Sequence, residues 1–202
     1  MNTTQLIRRV LAWLPLTYGL WFLLAPAMAW LLAGLLQPLL VWISGELIFA
    51  VQHEGALVQA VVRLGGGTYG DLMVPAGRFA EVLIEVRPLL YGYGVPLFAA
   101  LLLASGVGRL SWRAWLGSLA GLLLMLLFGV GVGLLKALVF DLHPSIAAPW
   151  QLQSWSRELL ALGYQLGLLM LPIVTPLSLW FVLFADQLVQ LSRQPRAEPP
   201  RP

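Results

Sequence analysis

Four stretches of this chain carry no charged residue over lengths that match a lipid bilayer: Val10–Gly45, Pro88–Gly108, Ala114–Leu135 and Leu159–Ala185. An apolar helix needs about 20 residues to cross about 30 Å of hydrocarbon. Each stretch suffices for one crossing. Composition agrees, with 59% hydrophobic and only 10% charged residues, against roughly 25% charged in a soluble domain. An ordinary water-soluble globule and a disordered chain are both excluded. With Cys 0 in the count, disulfides, thiolate metal sites and a cysteine nucleophile are excluded too.

The expected fold is therefore an all-α integral membrane protein with four transmembrane helices at about 10–36, 88–106, 114–137 and 159–185. Four crossings place both termini on one side. That side collects Arg8, Arg9, Arg109, Arg113, Arg193, Arg196 and Arg201, against Arg63, Arg78, Arg87 and Arg157 opposite. The excess of arginine marks the cytoplasmic face, N-in and C-in. The formal +3 charge is then a basic membrane face and not a nucleic-acid footprint. Arg8-Arg9, the apolar run and Ala27-Met28-Ala29 also fit a cleaved secretory leader. The apolar stretch continues past Ala29 to Leu36, so an uncut anchor is expected.

Four regions follow: a tail and first helix over 1–38, an interfacial helix and extracytoplasmic β-ribbon over 39–87, a three-helix transmembrane bundle over 88–185, and a disordered cytoplasmic tail over 186–202. Leu39–Val51 is too short to cross and reads as a helix lying in the outer interface. Ala56–Leu64 alternates, with Val58, Ala60, Val62 and Leu64 on one side and Gln59 and Arg63 on the other. Phe79–Arg87 alternates likewise. Period-two patterning predicts strands, and Gly65-Gly66-Gly67 and Tyr69-Gly70-Asp71 supply turns. A hairpin or three-stranded ribbon results, with Arg63 facing Glu81 or Glu85. An amphipathic helix over 77–87 is the competing reading. An apolar sheet side needs covering, by the membrane surface, the 39–51 helix or a partner.

Tyr91, Tyr93, Trp150 and Trp155 on the outer side, and Trp13, Trp112 and Trp115 on the inner, fit aromatic belts. Gly117/Gly121, Gly129/Gly133 and Gly163/Gly167 are each four apart, which lets helix backbones approach closely in lipid. Lys136 ends the third span, where its amine can snorkel toward Asp141. His53, Glu54, Asp141 and His143 are the available metal or acid–base side chains, but their spacing matches no ligand signature. No nucleophile elbow or phosphate-binding loop occurs. No catalytic residue, cofactor or metal is expected.

Two segments are distinctive: Arg8-Arg9-Val-Leu-Ala-Trp13-Leu-Pro15-Leu, and Glu81-Val-Leu-Ile-Glu-Val-Arg87-Pro88-Leu-Leu-Tyr91-Gly-Tyr93-Gly-Val-Pro96-Leu-Phe-Ala-Ala. With the layout, they resemble the exosortase H-associated membrane proteins. The resemblance implies residence in the inner membrane of a Gram-negative bacterium. It also implies work beside an exosortase, an integral membrane cysteine enzyme that processes envelope proteins bearing a C-terminal sorting signal. A chain without cysteine is not that enzyme, and the resemblance supplies no catalytic residues. The expected function is a non-catalytic accessory protein whose partners are lipid and another integral membrane protein, with Arg63, Glu81, Glu85 and Arg87 as its interaction face. The alternatives are a small permease or channel subunit, tested at Lys136, and an envelope enzyme using the outer acids and histidines.

Overall fold

A computed structural model describes residues 3–45, 47–105, 111–150 and 152–193. Glu46, Arg109, Arg196, Glu198 and Arg201 lie outside the described residues, as does the expected tail beyond Arg193. The chain is mostly helical, with a small antiparallel sheet inserted after the first helix.

Helix α1, Thr3–Ser44, is 42 residues long and contains Pro15, Pro26 and Pro38. At 1.5 Å per residue it is about 63 Å, twice a bilayer core. Its end is set locally. Gly45 takes a φ of 56°, the left-handed conformation that closes helices and that glycine adopts without penalty. The Ser44 hydroxyl then accepts the Ile48 N–H at 3.1 Å. Strand β1, Ile48–Glu54, begins there. The expected interfacial helix over 39–51 is thus corrected: residues 39–44 complete α1, and 48–51 are strand. Ser44-Gly45 is a helix stop, not the polar side of an amphipathic helix.

Strands β2, Leu57–Leu64, and β5, Ala80–Val86, occupy the two alternating segments. The sheet order is β1-β2-β5, antiparallel throughout. A separate hairpin, β3 (Gly67–Tyr69) with β4 (Leu72–Val74), is inserted between β2 and β5. The helical alternative for 77–87 is therefore set aside. Val58, Ala60, Val62 and Leu64 are buried with Ile48, Val51, Ile84 and Val86. The cover is the second half of α1, whose Leu32, Leu36 and Leu40 are buried in the same core. Side chains at 32, 36 and 40 share one helical face, so one helix both extends the membrane segment and roofs the sheet.

Beyond a 3-10 turn at Pro88–Leu90 lies α2, Gly94–Ser105. Helix α3 is Trp112–Lys136, capped by the Ser111 hydroxyl on the Ala114 N–H, and it passes into a π turn at Ala137–Asp141. A short α4, Pro144–Ala147, follows. Helix α5, Ser154–Gln165, joins α6, Leu171–Arg193, through a π turn at Leu166–Met170. The expected tail from 186 therefore starts as helix, up to Arg193.

Among the described residues, three helical stretches are long and apolar enough to cross a membrane: Thr4–Ser44, Trp112–Asp141 and Ser154–Phe184. The expected second crossing is instead the 12-residue α2, about 18 Å long. Its approach is irregular but protein-packed. Tyr91 is buried, and a side chain on Gly92 would collide with Trp21 of α1 and Leu126 of α3. The Tyr18 hydroxyl donates to the Tyr93 carbonyl at 3.0 Å, and the Tyr93 hydroxyl donates to the Leu169 carbonyl at 3.2 Å. Protein thus surrounds the irregular backbone between β5 and α2.

Candidate functional site: the sheet face and the glycine grooves

The face of the sheet opposite α1 is built from alternate residues of three strands. In register, Arg63 lies across from Glu81, Val61 from Leu83, and Gln59 from Glu85. Arg63 Nη2 donates to Glu81 Oε1 at 3.1 Å, both side chains being partly exposed. Such a pair in water contributes at most about 1 kcal/mol. Glu85 belongs to a different row. Gln59 is only 2% exposed, and its Nε2 donates to Glu85 Oε1 at 2.9 Å and to Glu54 Oε2 at 2.8 Å. Its Oε1 accepts from Gln52 Nε2 at 3.3 Å. One buried amide thus sits between two carboxylates. Arg87 is exposed beyond the strand end, and its side chain has no hydrogen-bonding or ionic partner among the described residues. The four face residues therefore do not form one ion-pair network: four residues of strand, about 13 Å, separate the Arg63 row from the Glu85 row. Leu83 is exposed between them.

The rest of this site is hidden in sequence because the expected helix over 39–51 covers the start of β1 and leaves Gln52–Glu54 outside the predicted strands. Read as a strand, Gln52 falls opposite Gln59, and three polar side chains share one rung. Phe49 lies at a β-bulge between Ile48 and Ala50, a device that re-aims a side chain. Its ring lies 3.3 Å from the Arg63 guanidinium carbon, and the Phe79 ring lies 5.9 Å away.

The glycines divide into distinct roles. A side chain on Gly167 would come within 3.0 Å of Gly129 Cα, and one on Gly163 within 3.5 Å of Val132. These two place the α5–α6 run close against α3. Gly129 and Gly133 also leave the groove that holds Tyr91, whose ring stands edge-on to Tyr164 with centroids 6.4 Å apart. Gly121 faces Leu179 of α6, whereas Gly117 has open space around it. Tyr91 is accordingly a core residue and not a member of an aromatic belt. It is drawn inward because the two glycines leave room for a ring.

Lys136 Nζ lies 2.6 Å from Asp141 Oδ1 and 5.4 Å from the Tyr164 ring centroid. The π turn at 137–141 brings the carboxylate back to the amine. His143 Nδ1 is 2.8 Å from the Ser145 hydroxyl, while His53 is exposed on β1 beside a pocket lined by Trp30 and Gly34. Among the described residues, no three histidine, aspartate or glutamate side chains converge as a metal site would require. The cluster of His53, Glu54, Asp141 and His143 weighed from sequence is not assembled.

Comparisons with curated proteins and with solved structures give no significant match. The family model for exosortase H-associated membrane proteins matches residues 1–187, nearly the whole length and both segments that carry the resemblance. The chain belongs to the exosortase H-associated membrane protein family.

Proposed function

We propose that this protein is a non-catalytic accessory subunit of an exosortase-type protein-sorting system in a bacterial inner membrane. Its helices dock on the enzyme within the bilayer. Its sheet stands on the outer side and presents a face to the partner or its substrate. The observation that carries this reading is the construction of that face. Glu81, Leu83 and Glu85 are exposed on a sheet clamped to α1, with Arg87 one residue past the strand end, so the two carboxylates are held by a rigid element rather than a loop. The topology belongs to the same proposal. Residues 88–105 complete a fourth crossing through the protein-packed turn and α2, leaving both termini in the cytoplasm. The ion pair of Lys136 with Asp141 supports snorkelling over a transport role.

The test is co-purification of the exosortase with the tagged full chain, together with processing of a sorting substrate in cells. A double reversal, Glu85→Lys with Arg87→Glu, is expected to lower both by at least about fivefold, the effect of about 1 kcal/mol at an interface. His53→Ala with His143→Ala is expected to leave both unchanged. Normal co-purification and processing in the reversal would remove the sheet face from the proposal. Loss of processing in the histidine variant, with co-purification intact, would favour an enzyme.

A further inference from the structure

A cleft of about 820 Å³ lies where α1 ends and the sheet begins, lined by Val41, Phe49, Arg63, Tyr69, Phe79 and Trp150 among others. Among the described residues, Arg63 is the one charged residue in its lining. The guanidinium is stacked on the Phe49 ring and flanked by Phe79, which restrains its plane while leaving it partly exposed. Of its five N–H donors, one is occupied by Glu81. Tyr69 and Trp150 line the same cleft, and neither the Tyr69 hydroxyl nor the Trp150 indole N–H has a hydrogen-bond partner among the described residues. The cleft thus offers one stacked cation, with Tyr69 and Trp150 as neutral donors, against walls that among the described residues are apolar apart from Ser44.

One wall belongs to α1, whose Thr4–Ser44 stretch is apolar enough to span a membrane. Trp42, beside that wall, is 80% exposed, and Leu39 and Ile43 are exposed with it. The apolar surface therefore continues from the membrane helix into the cleft, and the cation and donors lie at its far end. That arrangement matches a molecule with apolar chains and an anionic head.

We propose that this cleft binds an anionic phospholipid, its phosphate on Arg63, Tyr69 and Trp150 and its acyl chains along the exposed side of α1. The inference does not rest on the exosortase partnership, because lipid retention is a property of the chain alone. Arginine at a membrane surface contributes about 1 kcal/mol toward anionic lipid, a factor of about five.

The experiment is native mass spectrometry of the full chain in mild detergent, titrated with phosphatidylglycerol or phosphatidylcholine. Phosphatidylglycerol is expected to be retained about fivefold better. Arg63→Gln is expected to abolish the preference, and Glu81→Gln to increase it by freeing a donor. Tyr69→Phe removes only a hydroxyl, and is expected to reduce retention with the unfolding temperature unchanged. This variant decides the matter if Arg63→Gln does not fold. Glycerol phosphate is expected not to compete. Equal retention of the two lipids, an unchanged preference in Arg63→Gln, unchanged retention in Tyr69→Phe, full competition by glycerol phosphate, or displacement by an acidic apolar peptide would each overturn the assignment.

Discussion

Gly129→Ala and Gly117→Ala, the same substitution in the same helix, are expected to shift stability in opposite directions. In a helix interior, replacing glycine by alanine gains up to about 1 kcal/mol from propensity alone. Gly117 has nothing within 4 Å of the added carbon, so that gain stands unopposed. At Gly129 the added carbon would lie 2.8 Å from Tyr91 Cδ1 and 3.1 Å from Tyr91 Cβ. These atoms are at the base of the tyrosine, so no side-chain rotation clears the clash. On the neighbouring helix, Gly167 is already packed toward Gly129 Cα. Overpacking a closed site costs about 1–3 kcal/mol, which exceeds the propensity gain. Thermal unfolding of the full chain in one detergent checks this. Gly129→Ala is expected to unfold at lower temperature and Gly117→Ala at a higher one. Equal shifts would mean that Tyr91 is not seated in the groove.

Gln59→Glu is expected to destabilise the sheet in a pH-dependent manner. The native amide donates to both Glu54 and Glu85 from a buried position. A carboxylate there has no hydrogen to donate and sets a third negative charge between two others. Leaving buried polar groups unpaired costs about 1–3 kcal/mol, and more when they are charged. Burial and like charge both disfavour ionisation, so the introduced acid titrates above the ordinary carboxylate range. A group whose folded pKa is raised holds its proton at low pH and loses stability as pH rises through that value. The variant should therefore approach the wild type near pH 5 and fall behind it by pH 8, whereas Gln59→Leu should show no comparable slope. A flat difference across that range would contradict the arrangement of Gln59 between Glu54 and Glu85.

What was legible in the sequence had a simple period. Charge-free runs marked Trp112–Asp141 and Ser154–Phe184 closely, because a bilayer imposes its own length. Alternation marked β2 and β5, and with them the Arg63–Glu81 pair, because one side of the sheet is buried. Strand β1 was not legible. Its bulge at Phe49 breaks the period, and Ile48-Phe49-Ala50-Val51 reads as apolar in any conformation. The stop at Ser44-Gly45 was visible as a motif but was weighed as polarity. The break before α2 has a different cause. Tyr91 and Tyr93 are satisfied by groups on α1, α3 and the α5–α6 junction, contacts remote in the chain that no local pattern announces.

The cysteine-free chain makes the central question of crossings directly measurable, since single introduced cysteines report without background. Thr4→Cys, Glu85→Cys and Arg201→Cys, each in the otherwise native protein, would be exposed to a membrane-impermeant maleimide in intact and permeabilised spheroplasts. With residues 88–105 completing a fourth crossing, position 85 should label in intact spheroplasts, and positions 4 and 201 only after permeabilisation. Labelling of positions 4 and 201 from opposite sides, as three crossings by the long helices alone would give, would contradict this topology.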